Sequence, residues 1–206
     1  MGKKSSSSRW KERQARDPYV RRAQAEGWRS RAAFKLMEID SRDHLLRRGA
    51  IVVDLGAAPG GWSQVAAEKV GSAGRVIAVD ILDIAPMDGV HYIQGDFTDE
   101  GVINRIVEVL GTAKAELVLS DMAPNITGNW SVDQPRSMQL AELVLEACQR
   151  LLKPGGCMII KVFQGEGFEG LVRQAKVGFG TVRIRKPASS RAESREMYLV
   201  AGNYRL

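Results

Sequence analysis

The feature that most constrains this chain is a regular alternation of short β-rich runs with amphipathic stretches. Ile51-Val-Val-Asp-Leu55 is apolar but for one acid and opens on three β-branched residues, the pattern of a strand buried on both faces. A Gly-rich turn and a helical stretch over residues 62–70 follow. Further strands are predicted over 75–80, 91–94, 116–121 and 157–163, and helices over 101–110, 135–152 and 168–176. Such alternation predicts α/β architecture: a single doubly wound, mostly parallel seven-stranded sheet. The last two strands, near 181–185 and over 197–201, have no helix between them and are expected to form an antiparallel hairpin at one edge. Ahead of the sheet, Ala33, Leu36, Met37 and Ile39 recur at near-helical spacing and predict a helix over 28–39.

Charge is distributed unevenly. Residues 1–48 carry 14 Lys and Arg against 6 Asp and Glu, residues 49–182 carry 10 against 16, and residues 183–206 carry 6 against 2. Basic ends around an acidic middle suggest an anionic partner gripped at the ends. The domain reading is accordingly a basic, partly disordered extension over 1–28, with helical potential and suited to that anionic partner, and a folded α/β domain over 29–206. The apolar runs are far shorter than the ~20 residues a membrane span needs. The first residues, Met-Gly-Lys-Lys-Ser-Ser-Ser-Ser, lack the apolar stretch of a secretory signal. Cys148 and Cys157 both lie in apolar segments and read as buried free thiols in a reducing cytoplasm. Two histidines and no Cys/His cluster give no reason to expect a metal.

The turn Asp54-Leu-Gly-Ala-Ala-Pro-Gly-Gly-Trp62 joins the first strand to its helix. Ligands of open α/β sheets bind beside such turns, at the carboxyl ends of the strands. The spacing is not Gly-x-Gly-x-x-Gly, and the Lys-Ser/Thr pair of a phosphate loop is absent. Acids instead close the next strands. Asp80 is placed to accept from a ribose diol, Asp96 to reach an adenine amino group, and Asp121 ends the fourth strand. This succession suits a ligand with a sugar, an adenine and a sulfonium cation, and would repel a pyrophosphate. Asp54, Gly56, Gly60, Trp62, Asp80, Asp96 and Asp121 are the candidate cofactor-binding residues.

Six segments then resemble one family, the FtsJ-type large-subunit ribosomal RNA ribose 2′-O-methyltransferases. They are Arg29-Ser-Arg-Ala-Ala-Phe-Lys35, Val53 to Gln64, Gln94-Gly-Asp-Phe97, Leu119-Ser-Asp-Met-Ala-Pro-Asn125, Lys161-Val-Phe-Gln-Gly-Glu-Gly167, and Lys186 to Arg191 with Ser194-Arg-Glu196. The resemblance implies a Rossmann-like fold that uses S-adenosyl-L-methionine and releases S-adenosyl-L-homocysteine. It implies methylation of an A-loop uridine in the 23S-type RNA of an assembled 50S particle, by a monomeric cytoplasmic protein with no membrane partner. It also carries the family's catalytic tetrad onto Lys35, Asp121, Lys161 and Glu196.

Each tetrad member has a physical role. A ribose hydroxyl is a weak nucleophile that needs a base and an oriented lone pair. Lysine's reference pKa of about 10.4 is too high for that task, and a second ammonium nearby would lower it. Lys161 is therefore the expected base, Lys35 the tuning and positioning cation, Asp121 the steering acid, and Glu196 the balancing acid. A nucleophilic Cys for base methylation and the Asn/Asp-Pro-Pro-aromatic signature of amino-group methylation are both missing. A catalytically dead assembly factor on this scaffold would have lost the turn or a tetrad residue, and all are present. RNA contacts are expected from Arg9, Lys11, Arg13, Arg21, Arg22, Arg29 and Arg31, and from Arg185, Lys186, Arg191 and Arg195. Trp10, Tyr19 and Trp28 are candidates for base stacking.

Overall fold

The computed structural model describes residues 17–191 and 193–205. The basic Arg9, Lys11, Arg13 and the aromatic Trp10, and most of the proposed N-terminal extension, fall outside them. In chain order the elements are α1 (Pro18–Glu26), α2 (Ala32–Asp43), β1 (Ile51–Leu55), α3 (Gly61–Val70), β2 (Arg75–Asp80), β3 (Val90–Gln94), α4 (Glu100–Leu110), β4 (Ala115–Ser120), α5 (Trp130–Leu151), β5 (Leu152–Phe163), α6 (Phe168–Gly178), β6 (Phe179–Arg185) and β7 (Glu196–Tyr204). One seven-stranded sheet runs in the order β3-β2-β1-β4-β5-β7-β6. Pairing is parallel from β3 to β5, while β7 is antiparallel to both neighbours.

The α/β, mostly parallel sheet agrees with the sequence. The closing hairpin pairs as expected, but β7 does not lie at the rim: it is inserted between β5 and β6. Its burial explains why. Tyr198, Leu199, Val200 and Ala201 are all buried, so both faces of β7 need cover. At the rim, by contrast, β6 alternates more buried with exposed positions.

The core is split between the two faces. Val52, Val76, Leu117, Leu119, Ile159, Tyr198 and Val200 point to Leu36 and Ile39 of α2 and to Trp62 and Val65 of α3. Residues one step along the same strands, such as Val53, Ile77, Val118 and Ile160, meet α4, α5 and α6. This is the period-2 alternation of strands with both faces covered.

Two helix starts depart from the expectation. The predicted helix over 28–39 begins at residue 32 and runs to 43. Gly27, with φ 77°, ends α1, and Arg29 is drawn out of helical register because its N–H donates to Gln64 Oε1 (3.0 Å). The helix predicted from Pro135 starts five residues earlier. Asn129 caps it by accepting from Ser131 N, and Asp133 accepts from the backbone N–H of Thr127 and Gly128. Those bonds outweigh the one backbone hydrogen bond that Pro135 forgoes.

Candidate active site

The strand ends carry the site. After β1 the chain folds across the end of β2, with Gly56 N and Ala57 N both donating to the Val79 carbonyl. Ala58 N then donates to Asp80 Oδ2 and Leu82 N to Asp80 Oδ1, each at 2.8 Å. Asp80 is thereby fixed at the mouth of a cleft of about 400 Å³ lined by Gly56, Asp80, Asp96, Phe97, Asp121 and Asn125 among others. Asp96 uses Oδ1 to accept from Thr98 N and Oγ1. Among the described residues its Oδ2 takes no hydrogen bond. At Gly56, with φ 75°, an added Cβ would lie 1.8 Å from Met122 Cγ, so only glycine lets the loop after β4 close over this turn.

Four of the sequence candidates line this cleft: Gly56, Asp80, Asp96 and Asp121. Three do not. Gly60 lies under Met87 and Arg29. Trp62 is buried against Tyr198, at 5.6 Å between rings, and its Nε1 donates to the Ala32 carbonyl at 2.8 Å. Asp54 is fully buried behind the turn and accepts from Ser63 Oγ at 2.6 Å. Burial pushes its carboxyl up to about 7, with Asp121 and Asp80 adding to the rise against the Ser63 bond.

The four tetrad residues come together from four elements. Lys35 lies on the buried face of α2, and its Nζ is 2.7 Å from Glu196 Oε1 and 3.9 Å from Asp121 Oδ1. Asp121 follows β4. Lys161, near the end of β5, places Nζ 3.2 Å from Asp121 Oδ1 and donates to the Asp121 carbonyl at 2.6 Å. Glu196 opens β7, where pairing sets Phe163 opposite Glu196 and Lys161 opposite Tyr198. The inserted strand is thus what brings the fourth member to the other three. The order is alternating, Glu196–Lys35–Asp121–Lys161, so each ammonium neighbours a carboxylate.

Tyr198 joins this cluster and was not among the residues the sequence singled out. It is wholly buried, and its hydroxyl lies 2.6 Å from Asp121 Oδ1 and 3.0 Å from Glu196 Oε1. Its ring lies 5.6 Å from Lys35 Nζ. The available signal was its place two residues after Glu196 in a strand, hence on the same face. Ser190 Oγ supplies Glu196 Oε1 with another donor at 2.9 Å. Burial would raise the Asp121 carboxyl, but Lys161, Lys35 and the Tyr198 hydroxyl together hold it below the ordinary value. Burial and the two neighbouring acids push Tyr198 well up, so its proton stays in place as a donor. Asp121 Oδ2 takes no hydrogen bond among the described residues. Asp121 therefore belongs both to this cluster and to the wall of the cleft.

The basic residues named for RNA contact are mostly engaged. Arg29 donates to the carbonyls of Ala85 and Pro86, each at 2.7 Å. Arg31 pairs with Asp17 and donates to the Ser189 carbonyl, and burial and nearby Arg191 lower its guanidinium. Arg185 grips Asp43 through two nitrogens, at 2.8 and 2.7 Å. Lys186 donates to the Ser194 carbonyl. Arg22 pairs with Glu26 on the surface. Arg195 lies over the half-exposed ring of Trp130 at 4.7 Å. Tyr19 is tilted against Phe34, and Trp28 packs against the α2/α3 core. Among the described residues no group of His, Cys, Asp and Glu could hold a metal ion, and no helix is long and apolar enough to cross a membrane.

This sheet order, with its strand-end cleft and a Lys–Asp–Lys–Glu cluster beside it, defines a Rossmann-like methyltransferase. The FtsJ-like methyltransferase family model matches residues 28–204, and the chain belongs to that family. A Plasmodium falciparum protein assigned as a ribosomal RNA methyltransferase is 31% identical, over 86% of this chain and 98% of its own, with a TM-score of 0.77. Two archaeal structures share the fold at lower identity. Fibrillarin from Methanococcus jannaschii, a pre-rRNA processing protein, is 16% identical over 79% of this chain and 70% of its own, with a TM-score of 0.56. Fibrillarin from Aeropyrum pernix, solved with bound S-adenosyl-L-methionine, is 17% identical over 84% and 74%, also with a TM-score of 0.56.

Proposed function

We propose that this protein methylates a ribose 2′-hydroxyl of ribosomal RNA, with S-adenosyl-L-methionine as donor. The target is an A-loop uridine of 23S-type RNA in the assembled 50S particle, and the enzyme works as a cytoplasmic monomer. The observation that carries the reading is the alternating lysine–carboxylate cluster joined through Asp121 to an acid-lined cleft. The residues present fit the cofactor. Asp80 is anchored by two backbone donors and keeps lone pairs for a ribose diol, while Asp96 Oδ2 is available to an amino group. The cleft volume lies in the range of small-molecule sites.

The cofactor, when bound, supplies the electrophilic methyl group. Lys161 would accept the proton of the ribose hydroxyl as that oxygen takes the methyl, whose bond to sulfur breaks to leave S-adenosyl-L-homocysteine. Asp121 orients Lys161 through its carboxylate and its carbonyl. Lys35 holds the substrate ribose and is itself held by Glu196. Tyr198 and Ser190 fix the two acids. Phosphates of the RNA meet the surface arginines, of which Arg21, Arg22 and Arg195 are exposed.

Two measurements test this. Mapping 2′-O-methyl groups in cells with and without the protein should show one loss, in 23S-type RNA; a loss confined to tRNA or mRNA would overturn the target. Lys161→Ala and Lys161→Arg should both abolish transfer while cofactor affinity persists, because a guanidinium cannot take a proton. Substantial activity in Lys161→Arg would move the base role to Asp121.

A further inference from the structure

A second cavity, of about 330 Å³, is lined by Asp17, Tyr19, Arg31, Ser189, Arg191 and Glu193 among others. It belongs to neither the strand-end cleft nor the tetrad, but shares a wall with the latter. Ser190 lines it and also donates to Glu196. Ser189 is fully buried, and among the described residues its Oγ has no hydrogen-bond partner. A buried hydroxyl left without a partner forfeits the hydration it had in water, so one with a cavity beside it points to a ligand that supplies the missing bond.

The lining says what kind of ligand. Asp17 stands between two guanidiniums, paired with Arg31 and 3.7 Å from Arg191. With Glu193 the charged groups of the wall balance, Arg31 and Arg191 against Asp17 and Glu193. A bare phosphate would meet both carboxylates here and gains little. A neutral planar group with donors and acceptors on its edge finds both kinds of partner, plus the Tyr19 ring beside Arg31, at 5.5 Å. A nucleobase has that description.

We propose that this cavity receives the base of an unpaired nucleotide neighbouring the methylated ribose, held by Ser189 Oγ and Arg191. This rests on the reading of the protein as an RNA ribose methyltransferase. The cavity would set sequence context around the target, because it hydrogen-bonds a base edge rather than a phosphate. Through Ser190 its wall is joined to Glu196.

The test uses the whole protein with short single-stranded RNAs that carry 4-thiouridine at successive positions. After irradiation, the crosslinked peptides are mapped by mass spectrometry. One position next to the target should crosslink to the segment around Tyr19 or to residues 189–191. Ser189→Ala should fold normally, since it removes an unpaired polar atom, yet weaken RNA binding about fivefold, the loss of one hydrogen bond. An abasic nucleotide at the crosslinking position should weaken wild-type binding and add little in Ser189→Ala. Crosslinks found only elsewhere, or equal sensitivity of both proteins to every abasic position, would overturn the base pocket and leave the methyltransferase reading intact. No crosslink anywhere would likewise overturn the base pocket, while the map of 2′-O-methyl groups in cells tests the methyltransferase reading separately.

Discussion

Replacing Asp54 with asparagine removes a charge that the fold has difficulty keeping. The side chain is buried behind the Gly-rich turn with Ser63 as its donor, and burial raises its carboxyl from 3.8 to about 7. Because the folded value is raised, the folded state holds this proton more tightly than the unfolded chain does. The stabilisation is therefore complete below pH 3.8 and is lost as pH climbs toward 7. At about 1.4 kcal/mol for each tenfold change in proton affinity, the whole interval corresponds to about 4 kcal/mol. An asparagine in this place would be neutral at every pH and keeps an acceptor for Ser63. The Asp54→Asn variant should match the wild type near pH 4 and exceed it increasingly above pH 5. At about 2–4 °C per kcal/mol for a domain of this size, the gain at pH 8 is roughly 8 °C or more. Thermal melts of both ligand-free proteins at several pH values measure it. A difference in Tm that stays constant with pH, or a variant less stable than the wild type at pH 8, would refute the argument.

Tyr198→Phe keeps the buried ring but removes the donor shared by Asp121 and Glu196; we expect kcat to fall about tenfold or more, at ~1.5–3 kcal/mol for a charge-assisted bond, with cofactor affinity unchanged by calorimetry. Asp80→Ala should weaken S-adenosyl-L-methionine binding by ~1–3 kcal/mol, and unchanged affinity in the same titration would displace the cofactor from the β2 end. Arg185→Ala leaves Asp43, whose side chain is only 2% exposed, with Arg183 at 3.7 Å as its remaining partner; chemical denaturation should register a loss of ~1–3 kcal/mol, whereas a purely RNA-binding Arg185 would leave stability untouched.

What could be read in advance followed from local periodicity. The parallel half of the sheet was visible because each βα step repeats one signature: an apolar run, a turn, an amphipathic stretch. The tetrad was visible through its motifs, and the structure brings Lys35, Asp121, Lys161 and Glu196 together through a chain of ion pairs. Placement of β7 was not visible, since a hairpin between consecutive strands looks the same whether the second strand lies outside or inside the first. Only the burial of both faces of residues 198–201 decides it. The arginines show the same limit. Arg31 and Arg185 look like surface cations in a one-dimensional reading, and their anchors, Asp17 and Asp43, could be recognised only in three dimensions. Trp62 sits in a cofactor motif, yet its indole serves the packing of α2 on α3.

The inserted strand also bears on how the molecule is made. While a nascent chain emerges, β1 to β5 and their helices can assemble in the order of synthesis, each strand settling beside one already formed. The slot between β5 and β6 closes only when β7, the last strand in chain order, enters it. Until then Lys35 has no Glu196 opposite it, and Asp121 has no Tyr198 hydroxyl. An immature molecule thus holds Lys35 and Lys161 around one acid, without the second carboxylate that fixes Lys35. Such long-range closure is slow compared with helix formation. Competence for chemistry arrives with the last event of folding, and any lesion that loosens β7 should silence the enzyme before it unravels the rest of the sheet.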